Sequence, residues 1–344
     1  MKLNLLDSKK IYSFFQEREY NCLKSFPVVN NNDTIFITAG IQPILKSYTD
    51  GNISDSNNIF IAQPVIRTQY VNSIEEGYSI SFVNVTTAGF NNSEEEYFKM
   101  IKDWYEFLEA IGIYSKRITT LSDTYEDNWG NLNVIGKRTF HYYKDIELGD
   151  TTFFTSITSN NKKLNINSMC DLGFGLERLR WLSTEKSYFD LYTTSKELNS
   201  DLKAYLSVIA LLAVNNVVPS NKSSGYRARL FSKKVVSLLE ANVLNEEENK
   251  YLNECIKYWL EFQSVKNIDK NIINNEYIRN GNRFIIDLLT NEGYKNLSGI
   301  NVNISREELN KRLLSSGVEE ERVKRLWRRI KWNYFCVVVD LENT

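Results

Sequence analysis

Residues 170–179 read Cys170-Asp171-Leu172-Gly173-Phe174-Gly175-Leu176-Glu177-Arg178-Leu179. They follow an extended run at 164–169, and the two glycines fall where a strand turns into a helix. A glycine has no Cβ, so a ligand can approach the backbone closely there. Asp171 is suited to meet a substrate ammonium. Arg178, predicted one turn into the helix, is planar and permanently charged, so it can stack on a purine and reach a phosphate. On spacing alone, a glycine turn followed by a Glu177-Arg178 surface pair is the favoured reading.

Upstream, the runs 34–38 (TIFIT), 58–62 (NIFIA) and 78–85 (YSISFVNV) are rich in β-branched and aromatic residues, which predicts a mainly antiparallel sheet. Residues 93–112 predict a helix: Ser93 and Glu96 form a capping-box pattern, Tyr97, Ile101, Trp104, Leu108 and Ile111 an apolar stripe, and Gly112 a stop. Downstream of about 185 the periodicity is helical at 196–217, 226–244, 246–266 and 305–330, broken at Pro219 and in the Asn-rich stretch 267–282. The expectation is an α+β fold, with one domain over 1–190 built on a sheet flanked by helices and an all-α domain over 191–344.

Composition removes several function classes. Lys and Arg number 42 against 43 Asp and Glu, a net charge of −1, so no global positive field draws the chain to polyanions. Four cysteines without paired spacing (22, 170, 255 and 336) and a single histidine, His141, argue against a zinc cluster, a disulfide framework and histidine catalysis. No metal-ligand set is expected from the protein. No run reaches signal or spanning length, so the expectation is a cytoplasmic chain without membrane contact.

Two further segments carry chemistry. In Gln63-Pro64-Val65-Ile66-Arg67 an arginine closes a strand-like run; it is either an ordinary surface or salt-bridged arginine, or a holder of phosphate oxygens that offsets charge during displacement at phosphorus. In 218–229 (VPSNKSSGYRAR) a turn joins two helices, as a plain connection or as a basic surface touching nucleic acid through phosphates and a base edge. A basic run at 322–332 (RVKRLWRRIKW) reads as a solvated helix face or a contact for nucleic acid or a partner.

Taken together and in this order, the segments resemble the catalytic and helical domains of alanyl-tRNA synthetase, a class II aminoacyl-tRNA synthetase. Residues 33–42 resemble its first motif, 62–67 with Gly77 the opening of its second, and 171–179 its DxGxGLERL third motif, while Pro219-Ser220-Asn221 through Gly225-Tyr226 and Arg229 resembles the turn of its tRNA-contacting domain. The resemblance implies a class II synthetase-like six-stranded antiparallel sheet that binds ATP, with Mg2+, and an amino acid, alanine being the first candidate. Arg67 would hold the α-phosphate, Arg178 pack on adenine, and Phe82 stand in for the aromatic on adenine's other side. Asp171 would bind the α-amino group beside Gly173, Trp129 would match the tryptophan limiting side-chain size, and Asp150 would fall where the family has an asparagine near the substrate. Asn221, Arg227 and Arg229 would face tRNA or another acceptor. For Trp129 a core role, and for Asp150 a turn aspartate, are the other readings.

The chain departs from that pattern. Tyr70, Val71 and Asn72 replace a lysine and histidine after Arg67, 136–143 (GKRTFHYY) replaces a GPCGPCSE segment, and Leu297 stands where an aspartate would help read the acceptor stem. The zinc-dependent editing and C-terminal domains are expected to be missing. The resemblance thus implies a ligase that forms an aminoacyl adenylate and passes the acyl group to tRNA or to an amine or carrier. The alternative is a catalytically silent paralogue that binds tRNA or a protein partner.

Overall fold

The computed structural model describes residues 7–29, 34–53, 58–68, 78–129, 132–159, 166–184, 198–239, 244–263 and 306–329, together with 272, 275, 286–287, 289–291 and 293–295. The expectations for Tyr70, Val71, Asn72, Gly77 and Leu297 lie outside these residues. The chain divides into two compact units, one of residues 1–191 with 260–264 and one of 192–259 with 265–344.

The first unit is built on a seven-stranded sheet: β1 (Asn21–Leu23), β2 (Ile59–Ile66), β3 (Ser81–Phe90), β4 (Ile118–Trp129), β5 (Leu132–Tyr143), β6 (Ile146–Ser159) and β7 (Met169–Gly175), in the order β1-β2-β3-β7-β6-β5-β4. β2 to β7 form six mutually antiparallel strands, and the short β1 adds a parallel edge. With helices on the sheet the class is α+β. The 34–38 run is not a strand: it makes one isolated bridge, Val29 to Phe36, and Ile37 N–H donates to Val28 O.

Helix α1 (Ser8–Gln16) and helix α3 (Glu94–Ala110) cover one face. Asp7 caps α1, and in α3 the expected Ser93–Glu96 capping box forms. Gly112, at φ +95°, takes the left-handed conformation just past the end of α3. Phe15 stacks on Phe60 with centroids 4.2 Å apart, Trp104 lies 4.3 Å from Phe174, and Trp104 Nε1 donates to Thr87 Oγ1 at 2.7 Å. Met100 and Phe107 join the buried stripe, whereas Ile101 lies half-buried on its flank.

Helix α2 (Ile41–Thr49) lies on the other face, where Ile41, Ile44 and Leu45 pack with Ile59, Ile61, Ala88, Phe90, Phe154 and Met169. Among the described residues, α2 covers only the apolar half of that face. Its polar half, toward Gly173 and Gly175, holds the candidate site.

β7 is the middle strand and runs directly into helix α4 (Leu176–Ser183). The last β3–β7 pair is Asn84 with Gly175, so Val83 N–H has no strand partner on that side. The buried Glu177 supplies one, its carboxylate oxygens accepting from Val83 N–H at 2.9 and 3.1 Å. Glu177 is therefore not half of a surface pair.

The second unit contains α5 (Ser200–Val214), α6 (Ser223–Leu238), most of α7 (Glu246–Phe262), α8 (Arg306–Ser315) and α9 (Glu320–Arg329). α5 is buried all round from Leu202 to Val214, as expected of a helix apolar on every side. The single helix expected over 305–330 is two, because Gly317 at φ +84° ends the first. In the α5–α6 turn a Cβ on Gly225 would collide with Ser220 Oγ and Val218 O.

Replacing Glu177 with Ala would leave a buried N–H unpaired, a loss of about 1–3 kcal/mol. Glu177→Gln keeps an acceptor and should recover most of it. Urea unfolding midpoints check this, and an Ala variant as stable as the parent would remove the role assigned to Glu177.

Candidate active site

Directly paired residues on adjacent strands share a face, so the register fixes what lies side by side. Asp150 pairs with Gly173, Gly173 with Thr86, and Asn84 with Gly175. Asp150 is thus inside β6, not in a turn. A Cβ on Gly173 would lie 3.2 Å from Asn84 Nδ2, so the glycine keeps this stretch of backbone open. Asn84 Oδ1 accepts from Gly40 N–H at 2.8 Å, which ties the start of α2 to the site.

Arg67 leaves the end of β2, its Nε donating to Thr38 O at 2.7 Å and its guanidinium 5.1 Å from the centre of the Phe82 ring. A Cβ on Gly175 would lie 3.8 Å from Phe82 Cδ2 and 3.7 Å from Arg178 Cβ. Arg67, Phe82 and Arg178 therefore gather around the end of β7. Arg178 is the third residue of α4; its Nη1 donates to Glu147 O at 2.6 Å and lies 3.5 Å from Glu147 Oε1, and its guanidinium sits 4.6 Å from the Tyr78 ring centre.

Asp171 and Asp150 keep some accessible surface while protein surrounds them on most sides, as at the bottom of a concavity. Burial pushes Asp171 up to about 8; the Asp150 carboxylate adds to this and Arg67 opposes it. Burial raises Asp150 to about 6 against the pull of Arg67, with Glu147 adding and Arg138 opposing. Among the described residues the Asp171 carboxylate accepts no hydrogen bond. A buried carboxylate without a donor favours an incoming cation.

The structure does not bring every expected residue here. Trp129 packs 5.2 Å from Phe154 and donates through Nε1 to Tyr125 OH at 3.0 Å, in the apolar cluster under α2. Phe154 is four residues along β6 from Asp150, about 13 Å of strand. Asn221, Arg227 and Arg229 belong to the helical unit, where Arg229 Nη1 donates to Asn221 Oδ1 and Tyr226 is exposed. His141 is buried on the helix-covered face between Tyr105 OH and Thr151 Oγ1, and burial pushes its pKa down to about 4. Sequence reasoning missed Asn84, Glu147 and Arg138. Asn84 had one visible signal, an amide inside the apolar run SFVNV. Among the described residues no group of three or more His, Cys, Asp or Glu is placed to hold a metal ion, and no helix is long and apolar enough to cross a membrane.

No family model matches the chain. It is 23% identical to the alanine–tRNA ligase of Methanosphaera stadtmanae across 77% of this chain and 37% of that protein. It is 27% identical to that of Thermoplasma acidophilum across 49% and 21%, and 22% identical to that of Thermofilum pendens across 92% and 43%. The chain thus spans less than half the length of these relatives. Among solved structures, a pyrrolysyl-tRNA synthetase of Desulfitobacterium hafniense overlays 52% of this chain and 68% of its own at 15% identity and a TM-score of 0.37, too loose to bear on the fold. In sequence the chain is alanyl-tRNA synthetase-like.

The raised carboxylates predict a pH dependence. An unfolded aspartate loses its proton near pH 4, whereas folded Asp171 keeps its own to about 8. Between those values the native state holds more protons, so this group's contribution to stability falls as pH rises. His141 tilts the curve the other way between about 4 and 6.5, so the informative quantity is the difference between parent and Asp171→Asn. The variant's melting temperature should gain on the parent's from pH 5 to pH 8. A constant difference would place Asp171 outside the concavity.

Proposed function

We propose that this chain is an ATP-dependent ligase that activates an amino acid as its adenylate and transfers the acyl group to tRNA or to a non-tRNA amine or carrier. The observation that carries the reading is the polar half-face. It sets two guanidinium groups, Arg67 and Arg178, beside Gly175, and the unpaired Asp171 with Asp150 around Gly173. Two residues of strand, about 7 Å, separate the two glycines. An amino acid whose ammonium sits on Asp171 would present its carboxylate toward a phosphate held by Arg67.

In this reading a substrate carboxylate oxygen attacks the α-phosphorus, a new O–P bond forms, and the bond to the β-phosphate bridging oxygen breaks with release of pyrophosphate. The nucleophile is already ionised, so no protein base is needed. Arg67 offsets charge on the α-phosphate, Phe82 and Arg178 flank adenine, and the backbone at Gly173 admits the substrate. Bound Mg2+ would further neutralise the phosphates; the carboxylate at that end is Glu147, which would have to turn from Arg178 and Tyr78 OH to hold it. In the second step an acceptor oxygen or nitrogen attacks the acyl carbon, loses its proton, and AMP leaves. Similarity to alanine–tRNA ligases puts alanine first among amino acids and tRNA first among acceptors, through Asn221, Arg227 and Arg229 in a helical domain from about 191. A cytoplasmic setting fits this role.

One observation favours the silent paralogue: Tyr78 covers a face of Arg178, and Glu147 holds its Nη1. Adenine would have to compete with that arrangement.

Amino-acid-dependent ATP–pyrophosphate exchange across the standard amino acids tests the proposal without knowledge of the acceptor. Arg67→Ala and Arg178→Ala should each lower exchange about 100- to 1000-fold, or roughly 3–4 kcal/mol in activation, with circular dichroism unchanged. ATP binding without exchange for any amino acid would favour the silent reading. Labelled amino acid with total tRNA then separates the acceptors: charging lost in Asn221→Ala selects tRNA.

A further inference from the structure

Arg138 stands in the row of directly paired residues Asp123, Arg138, Thr152 and Asp171, which crosses β4, β5, β6 and β7 on the face that carries the candidate site. Nothing in the sequence reading assigned it a role. Its Nε donates to Asp123 Oδ1 at 3.1 Å and its Nη2 to Asp123 Oδ2 at 2.6 Å. The guanidinium lies 4.8 Å from the Tyr125 ring centre and 4.3 Å from that of Phe140. A planar group gripped on one edge and flanked by two rings has its orientation fixed.

The edge turned to Asp123 faces β4, which leaves Nη1 on the other side of the guanidinium, away from β4. Among the described residues nothing hydrogen-bonds to Nη1, and the side chain keeps 25% of its surface. Asp150, which pairs with Phe140, is close enough to Arg138 for each to shift the other's charge state. A donor and an acceptor thus stand next to each other beside the site for the α-amino group.

The backbones of Arg138 and Asp171 are two strand spacings apart, about 9.5 Å. Thr152 stands on the strand between them, so a ligand lying over β6 has Arg138 on one side and Asp171 on the other.

We infer that Arg138 and Asp150 read a primary amide on the side chain of the activated amino acid, Arg138 Nη1 donating to the amide oxygen and Asp150 accepting from the amide nitrogen. The inference rests on the activation reading and departs from alanine as the substrate. A methyl group would leave Arg138 Nη1 and the second Asp150 oxygen unanswered, although Asp123 still holds the rest of the guanidinium and Thr152 Oγ1 reaches Asp150 Oδ2, and a carboxylate would face the Asp150 carboxylate. Sites built to hydrogen-bond a substrate group strongly reject analogues that lack it.

The test is pyrophosphate exchange with asparagine, glutamine, aspartate, glutamate and alanine, run on the parent, Arg138→Met and Arg138→Lys. Lysine keeps a positive charge near Asp123 but lacks the Nη1 donor, so it guards against misfolding of the Met variant. Asparagine or glutamine should exceed alanine at least 100-fold in kcat/KM. Both variants should erase most of that preference while the KM for ATP stays within about twofold. Preference for alanine or for an acidic amino acid, or an amide preference indifferent to both variants, would overturn the inference and leave activation standing. Calorimetric binding of the amides without any exchange would sink activation and keep the inference. Neither binding nor exchange would overturn both.

Discussion

The sheet depends on how its middle strand ends. β7 must stop at Gly175 and become a helix, yet β3 beside it continues, and a ladder abandoned in mid-sheet leaves a buried donor facing nothing. Glu177 answers the Val83 N–H with a carboxylate carried on the first turn of α4. Because that carboxylate fixes where α4 begins, it also fixes Arg178, the next residue. The same two residues of sequence therefore settle a structural problem and aim a cation at the polar half-face.

That half-face is costly to maintain. Asp171 and Asp150 occupy central strands where an apolar residue would bury surface at about 25 cal/mol per Å2, and they have Arg67 and Arg138 nearby rather than close partners. The helix-covered face offsets this with Trp104, Phe15, Phe60, Phe107 and Phe174. α2 divides the other face, its apolar side chains over Ile59, Ile61 and Phe154, so among the described residues one half is core and the other carries the polar groups. The start of α2 is tied down by a hydrogen bond from Gly40 N–H to Asn84, a residue that itself lies beside Gly173, and its far end by one from Asn91 Nδ2 to Tyr48 OH.

The sequence made part of this legible. Residues 170–179 showed a strand passing into a helix because the glycines punctuate it, and Ser93 with Glu96 showed where α3 begins because a capping box is a local device. β4, β5 and β6 were not visible, although they are the longest strands. On them the alternation of polar and apolar residues fails: β4 is exposed along most of its length, and Asp150, Thr152 and Arg138 are polar on the face where the pattern demands apolar side chains. The residues that hide the strands are those that form the site. Glu177 was read as a surface glutamate because nothing local shows that β7 stops one pair short of Val83. Residues 34–38 misled in the other sense: their β-branched composition forms a single bridge, Val29 to Phe36, and meets β2 at its end, where Ile66 N–H donates to Ile37 O.

Electrostatics links the two ends of the half-face. Arg67 lowers the cost of ionising both Asp150 and Asp171, and in the activation reading it is also the group that meets the α-phosphate. A phosphate that draws on the Arg67 field leaves the carboxylates harder to ionise, and so raises the benefit of placing an ammonium against Asp171. The ammonium in turn removes the like charge that a bound phosphate would otherwise face. Each ligand therefore strengthens the other's site, and by linkage the effect is equal in both directions. In the same reading adenine would take its place at Arg178 against Tyr78 and Glu147, so the gain from a bound amino acid would go first to loosening that contact. An Arg67 shared between both ends would thus couple selection of the amino acid to occupancy of the nucleotide site without any movement of the sheet.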